Sequence, residues 1–281
     1  MYLTIAVLCS VAVSVLLKIL RQKKMDIRQT IVAGYPVAFL LTWLLLKPDV
    51  GAIHALDSAW GIIIALGILL PAVFIILGRA IEAVGMVATD ASQRLSFIIP
   101  IIAAFLLFGE VLTDTRVLGL VLGFLALGAL VYRPQQTDTP KQKKYTPLWL
   151  FGVWTGYGII DILFKQVAKQ GTAFPLTLFV SFGVAGLLLL VYLLVTRVRW
   201  QADALVAGLL LGALNMGNIY AYIRAHQMLS DSPSIVFTGM NVGVIAVATL
   251  IGVGAFKERL NRINLVGLLL AVYCVGVLFL A

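Results

Sequence analysis

The chain has 281 residues, 62% of them hydrophobic and 12% charged, with a formal net charge of +9 and a mean hydropathy of +1.05. A soluble domain is near half apolar and a quarter charged, and a single core of this size still needs a polar shell. The composition therefore excludes an ordinary water-soluble enzyme and asks for lipid as solvent. The basic residues fall in short loops between apolar runs, which reads as membrane topology and not as a nucleic-acid surface. Cys9 and Cys274 stand alone in apolar segments without metal spacing, so no redox compartment follows from them.

A bilayer-crossing helix needs roughly 20 mostly apolar residues, and ten segments meet that need. Residues 2–20 lack a basic leader and a cleavage site, and are expected as a membrane helix, not a removable signal. Further helices are expected over 30–46, 59–78, 82–108 and 115–132. The segment RPQQTDTPKQKKYTP, residues 133–147, has three prolines, four basic residues and no aliphatic residue, and reads as a linker. Five more helices are expected over 148–168, 174–195, 204–224, 232–256 and 263–281. The helix expected over 82–108 carries Glu82, Asp90, Gln93 and Arg94, so it must face a cavity or other helices.

The two halves resemble each other. FGEVLTDTRVLGLVLGFLALGAL from Phe108 lies over FKERLNRINLVGLLLAVYCVGVL from Phe256 without a gap, at an offset of 256 − 108 = 148. Glu110 then meets Glu258, Gly119 meets Gly267 and Gly128 meets Gly276. Lys18 lies over Lys165 (165 − 18 = 147), and Arg79-Ala80 answers Arg224-Ala225 at an offset of 145. An odd number of helices per half reverses the second copy. The expected fold is an all-α polytopic membrane protein with ten transmembrane helices. They form two inverted-topology five-helix repeats, residues 1–132 and 148–281, joined by the 133–147 linker. Secondary transporters of this architecture hold substrate near mid-membrane between the repeats.

The Glu-containing turns FGEVLTDTRVLG and FKERLNRINLVG, each with Gly nine residues after the Glu, resemble the EamA-like family of the drug/metabolite transporter superfamily. The resemblance spans nearly the whole chain. It implies a central cavity lined mainly by helices 1, 3, 4, 6, 8 and 9. It also implies transport of amino acids, metabolites, sugars or drugs, proton-coupled in some members, with both termini in the cytoplasm. Charge bias points the other way on orientation. Fifteen basic residues, among them Lys18, Arg21, Arg79, Arg199 and Lys257, fall on the side of the odd-numbered loops, against five on the other side. The positive-inside rule then places both termini outside, in a membrane read as the bacterial inner membrane.

Charged residues at membrane depth are candidates for function. Asp90 and Arg94 are four apart and share a helix face with Gln93 and Phe97. They can line a cavity, with Arg94 meeting an anionic group and Asp90 meeting an amine or taking a proton, or they can form an internal ion pair that fixes packing. Asp161 and Lys165 repeat the spacing after Trp154 and Tyr157, as a cavity patch or as an interfacial group with Lys165 snorkelling. Ser10, Ser14 and Lys18 form a line along helix 1, as packing glue or substrate contacts. Asn215, Asn218 and Tyr222 stand at helical spacing in helix 8. Thr238 and Asn241 occupy the positions equivalent to Asp90 and Gln93, so the charged site is asymmetric between the halves. Glu110 and Glu258 are expected to cap the helices that follow them, and Tyr35 to pack or sit at an interface.

There is no phosphate-binding loop, no paired metal ligand for His54 or His226, and no nucleophile–base set. No cofactor or metal is expected, and the partners are a small-molecule substrate and the bilayer. The sequence favours a secondary transporter for a small polar or amphipathic metabolite, such as an amino acid or drug, with Asp90 as the candidate proton-coupling residue. The alternatives are a lipid-carrier flippase, which needs a lateral groove, and a membrane-embedded enzyme acting on a lipid, which needs a polar cluster at one membrane face. Oligomeric state is not legible.

Overall fold

A computed structural model describes residues 1–56, 60–100, 102–103, 113–131, 140–169, 174–228 and 233–280. Among these residues the secondary structure is helical, with no strand. The α-helices include α1 (Tyr2–Gln22), α2 (Ile27–Leu46), α3 (Trp60–Val84), α4 (Met86–Arg94), α5 (Asp114–Val131), α6 (Pro140–Lys169), α7 (Phe174–Val195), α8 (Ala202–Met228), α9 (Pro233–Gly254) and α10 (Arg262–Leu280), and residues 98–100 and 102–103 are helical too. Among the described residues, five helices are long and apolar enough to cross a membrane: Tyr2–Gln22, Ile27–Leu46, Trp60–Val84, Pro175–Val195 and Ala202–Ala225. Large apolar side chains such as Leu40, Leu44, Leu187, Leu194 and Leu269 are exposed. Such a surface suits lipid and is a liability in water, so the chain is compatible with membrane insertion.

Helix boundaries differ from the sequence reading at two places, around Gly85 and in the linker. The helix expected at 59–78 runs on to Val84, and the one expected from residue 82 begins at Met86. The break is Gly85, at φ 86 and ψ 166, a conformation open to glycine and closed to side chains that carry Cβ. Glu82 thus belongs to the end of α3. After Arg94 the backbone tightens into a 3-10 turn over Leu95–Phe97. The second difference lies in the linker: α6 begins at Pro140, inside the segment expected to be irregular. Proline suits a helix start because its missing N–H has no intrahelical partner there.

The helices of the two halves interleave. α2 packs on α7 and α8, α3 on α6 and α7, α1 on α8 and α9, and α5 on α10. One large core draws on α1, α2, α3, α6, α7 and α8, joined by Ala88 of α4, and buries Leu17, Leu77, Val153 and Leu193. A second core joins α4, α5, α9 and α10 around Leu95, Ala126, Ala271 and Cys274. A third, smaller cluster seams them together through Val11, Met86, Ala221 and Val244.

Glycines set the tightest crossings. A Cβ at Gly212 would lie 2.3 Å from the Gly34 carbonyl oxygen, and one at Gly208 2.4 Å from that of Thr30. This is close approach through small residues, the packing mode available when lipid gives helices no hydrophobic reason to associate. In the α5–α10 pair, a Cβ at Gly119 would strike Leu278, and one at Gly267 would press on Leu130. These contacts are related by one shift, since 267 − 119 = 148 and 278 − 130 = 148.

Candidate functional site

Along one face of α1, Ser10, Ser14 and Lys18 step by four, and along α4, Arg94, Asp90 and Met86 step by four in the opposite running order. The two lines meet rung by rung. Arg94 Nη2 donates to Ser10 Oγ at 2.6 Å, and Ser14 Oγ donates to Asp90 Oδ1 at 2.6 Å. At the third rung Lys18 Nζ donates to Glu258 Oε1, and its ammonium lies 4.4 Å from the Phe256 ring centroid. Glu258 also accepts the amides of Met86 at 2.6 Å and Val87 at 3.1 Å. A carboxylate on the first amides of a helix satisfies donors that have no partner in the helix and complements the positive end of its dipole. Glu258 therefore caps α4, across the two halves, and not α10 as expected; the start of α10 is held by the Asn261 side chain, which accepts the Asn264 amide at 2.6 Å.

Beside the ladder lies a cavity of about 240 Å³. Its apolar lining includes Val13, Leu70, Val73, Phe74, Leu178 and Phe182. Its polar lining is Ser10, Ser14, Gln93, Tyr157, Asp161, Asn215 and Asn218. Asp90 is buried at 1% exposure and stands behind Ser14, outside the lining. Its Oδ2, the Nε of Arg94 and the Oδ1 of Asn218 are buried without a hydrogen-bond partner. Arg94 is in electrostatic reach of Asp90, Tyr157, Tyr222 and Asp161. Asp161 is exposed and belongs to the cavity lining.

The structure thus gathers Ser14, Gln93, Tyr157, Asp161, Asn215 and Asn218 around one cavity, with Asp90 and Arg94 in the wall behind the serines. Tyr222 is half-buried near Arg94 and packs on the third core cluster. Asn241 is half-buried on α9. Lys18 belongs to the ladder's end, not to the cavity. Phe97 packs in the second core, because the 3-10 turn rotates it away from the Asp90 face. Trp154 is turned outward too: its Nε1 donates to the Leu95 carbonyl at 3.0 Å and its ring meets Phe124 edge-on at 5.9 Å. Tyr35 is buried against Phe182, a packing residue. The side chains of Lys165 and Thr238, and Glu110, lie outside the described residues. Sequence reasoning missed the pairing of Glu258 with Lys18 and α4, for which a separation of 240 residues left no local signal.

Below the Lys18 rung a second space of about 480 Å³ opens among Lys18, Arg21, Glu82, Lys257, Glu258 and Arg259. Arg21 reaches Glu82 at 3.3 Å, and Arg79 reaches the same carboxylate at 3.9 Å. Nearby, Gln29 ties α2 to the α7–α8 connection, donating to the Arg199 carbonyl at 2.8 Å and accepting the Gln201 amide at 2.7 Å. The connections α1–α2, α3–α4, α7–α8 and α9–α10 therefore gather at one end of the bundle, and they carry much of the positive charge.

No family model matches the chain. A crystal structure of a protein 13% identical overlaps 98% of this chain and 96% of its own length with a TM-score of 0.58, a likeness of fold alone. A protein of Haemophilus influenzae, described as uncharacterized, is 47% identical over 280 residues, 97% of this chain and 96% of the relative. At that identity over almost the full length of both, the chain belongs to the same family as the Haemophilus influenzae protein.

Proposed function

We propose that the protein is a secondary transporter of the EamA-like kind. In this reading ten spans form two inverted five-helix repeats around a mid-membrane site, and a small amphipathic solute moves across by alternating access. One observation carries the reading: a cavity walled half by apolar groups and half by hydroxyl, amide and carboxylate groups lies inside an otherwise apolar bundle. Polar groups at that depth are costly without a partner or a use.

Packing supports the repeat. Exchanging α1–α5 with α6–α10 turns α1–α8 into α6–α3, α2–α8 into α7–α3 and α1–α9 into α6–α4, and each of these pairs is in contact. Gly67 packs against Val184 where α3 meets α7, and Gly212 against Gly34 where α8 meets α2. Their spacing, 212 − 67 = 145, equals that of Arg79 and Arg224. The interleaving changes the mechanical picture, however. The bodies that rock are the two packed cores, α1–α3 with α6–α8 against α4, α5, α9 and α10, because moving one sequence half against the other would tear the largest crossings. The α1–α4 ladder is the seam between them, and Lys18–Glu258 closes it at one end.

An apolar space of about 480 Å³ among Leu127, Leu148, Phe151 and Trp154 is the one feature that favours the lipid-carrier alternative. Among the described residues of its lining there is no charged side chain to hold a headgroup. Reconstitution of the full chain in liposomes, loaded with a panel of unlabelled amines, amino acids and organic acids, tests the transporter reading. Counterflow of a labelled panel member, abolished by Asp161→Asn, is expected. Transbilayer movement of a lipid carrier with no solute exchange would replace it with the lipid-carrier reading.

A further inference from the structure

We infer that the cavity selects an organic cation: a protonated amine carried on a compact apolar body. The inference rests on the transporter reading above and names its substrate class.

The argument begins with what faces the space. Among the described residues of its lining, Asp161 is the one charged side chain. The sequence reading gave the anchoring role to Arg94, but that guanidinium stands outside the lining, where its Nη2 donates to Ser10. Asp90 likewise stands outside the lining, behind Ser14, while Asp161 lines the cavity from α6.

Of the unfilled groups Asp90 Oδ2, Arg94 Nε and Asn218 Oδ1, the one that belongs to the lining itself points the same way. Asn218 Oδ1 is a buried acceptor on the cavity wall with no partner. A buried acceptor left empty is costly, and a bound donor removes that cost. An ammonium brings several N–H donors, enough for Asp161 and Asn218 together, with the Tyr157 hydroxyl oxygen within the same lining as a further acceptor. A carboxylate ligand would meet Asp161 with like charge and leave the Asn218 oxygen unfilled. In the same lining, Phe74, Phe182 and Leu178 offer apolar and aromatic surface for the body of the ligand. An ammonium beside aromatic faces also gains from their quadrupoles. A space of about 240 Å³ suits a body of one ring and a short chain.

The test uses four probes that share one phenyl body: 2-phenylethylamine, phenylalanine, phenylacetate and 2-phenylethanol. Calorimetric titration of the purified full chain in detergent is expected to show 2-phenylethylamine binding at least about tenfold more tightly than any of the other three, the size of one favourable charge contact at a desolvated site. Asp161→Asn is expected to remove that preference, Asp161→Glu to restore part of it, and Asn218→Leu to weaken amine binding severalfold. Trp154→Phe, outside the cavity, is expected to leave it unchanged. Equal or tighter binding of phenylacetate or 2-phenylethanol, amine binding indifferent to Asp161→Glu and Asp161→Asn alike, or no binding of any probe would each overturn the inference. The transporter reading fails separately. If phenylalanine or phenylacetate exchanges in liposomes and the amine does not, the carrier stands and the cation class falls. If the amine binds but no solute exchanges, the cation site stands and the carrier falls.

Discussion

Glu258 does three things with one carboxylate: it pairs with Lys18, and it accepts the amides of Met86 and Val87. Its side chain is 11% exposed and that of Lys18 12%, so solvent screens the pair little. Removing one partner of such a pair leaves a poorly hydrated charge, a loss on the order of 3 kcal/mol. Glu258→Gln is therefore expected to lower the thermal unfolding midpoint in detergent, and Lys18→Met to cost less in the Glu258→Gln background than alone. Equal costs in both backgrounds would show that the pair is not coupled. Gly85 is bound to the same spot, since a Cβ there would lie 2.8 Å from a Glu258 carboxylate oxygen at a φ that side chains avoid. At the start of α2, burial alone would push the Asp26 carboxyl up, but hydrogen bonds from the Arg28 side chain and amide outweigh it and hold it below the usual carboxylate range. A lowered folded pKa stabilises above the unfolded value, about 3.9, and the contribution disappears as pH falls through the folded one. The midpoint gap between the native chain and Asp26→Asn, which keeps the cap but not the charge, is expected to be under about 1 kcal/mol near neutrality and to close below about pH 4. A gap that widens on acidification would reverse the sign.

Among the elements, α4 shows how far local sequence reaches. The four-residue spacing of Asp90 and Arg94 and that of Ser10, Ser14 and Lys18 were legible as two helix faces, and the two faces do meet. That they meet each other was not legible, because nothing in either segment names its partner. The start of α4 was misplaced by four residues for a related reason: apolar periodicity runs through Gly85, where the backbone takes a positive φ beside the Glu258 carboxylate from a remote turn. Trp154 and Phe97 were placed in the cavity by proximity in sequence, yet the 3-10 turn at Leu95–Phe97 turns one away and supplies the carbonyl that holds the other. The α2–α8 crossing depends on Gly34, Gly208 and Gly212. Gly212→Leu adds a side chain where the opposing backbone already stands, and overpacking of this kind costs about 1–3 kcal/mol or more. A loss of thermal stability is expected, with a smaller loss for Gly254→Leu, where an added Cβ meets nothing within 4 Å. Indistinguishable melting of the two variants would mean that the helices do not cross there.

At the scale of the whole molecule, the connections that gather around Lys18, Arg21, Lys257 and Arg199 define one strongly basic end. If charge bias sets the orientation, that end faces the cytoplasm and both termini lie outside. Alkaline phosphatase fused after Ala281 is then expected to be active and a fluorescent protein at the same point dark. The opposite pattern would give the termini to the cytoplasm, as the family resemblance implies. The sequence by itself determined the all-helical class and the apolar character of helices long enough to cross a bilayer, because apolar length is a local property that any 20-residue window carries. Only the tertiary structure decided that the halves interleave, that Glu258 serves α1 and α4, and that Asp161, not Arg94, faces the cavity. Those outcomes depend on which faces meet across more than a hundred residues, and in an apolar chain many faces are chemically alike until packing selects one arrangement.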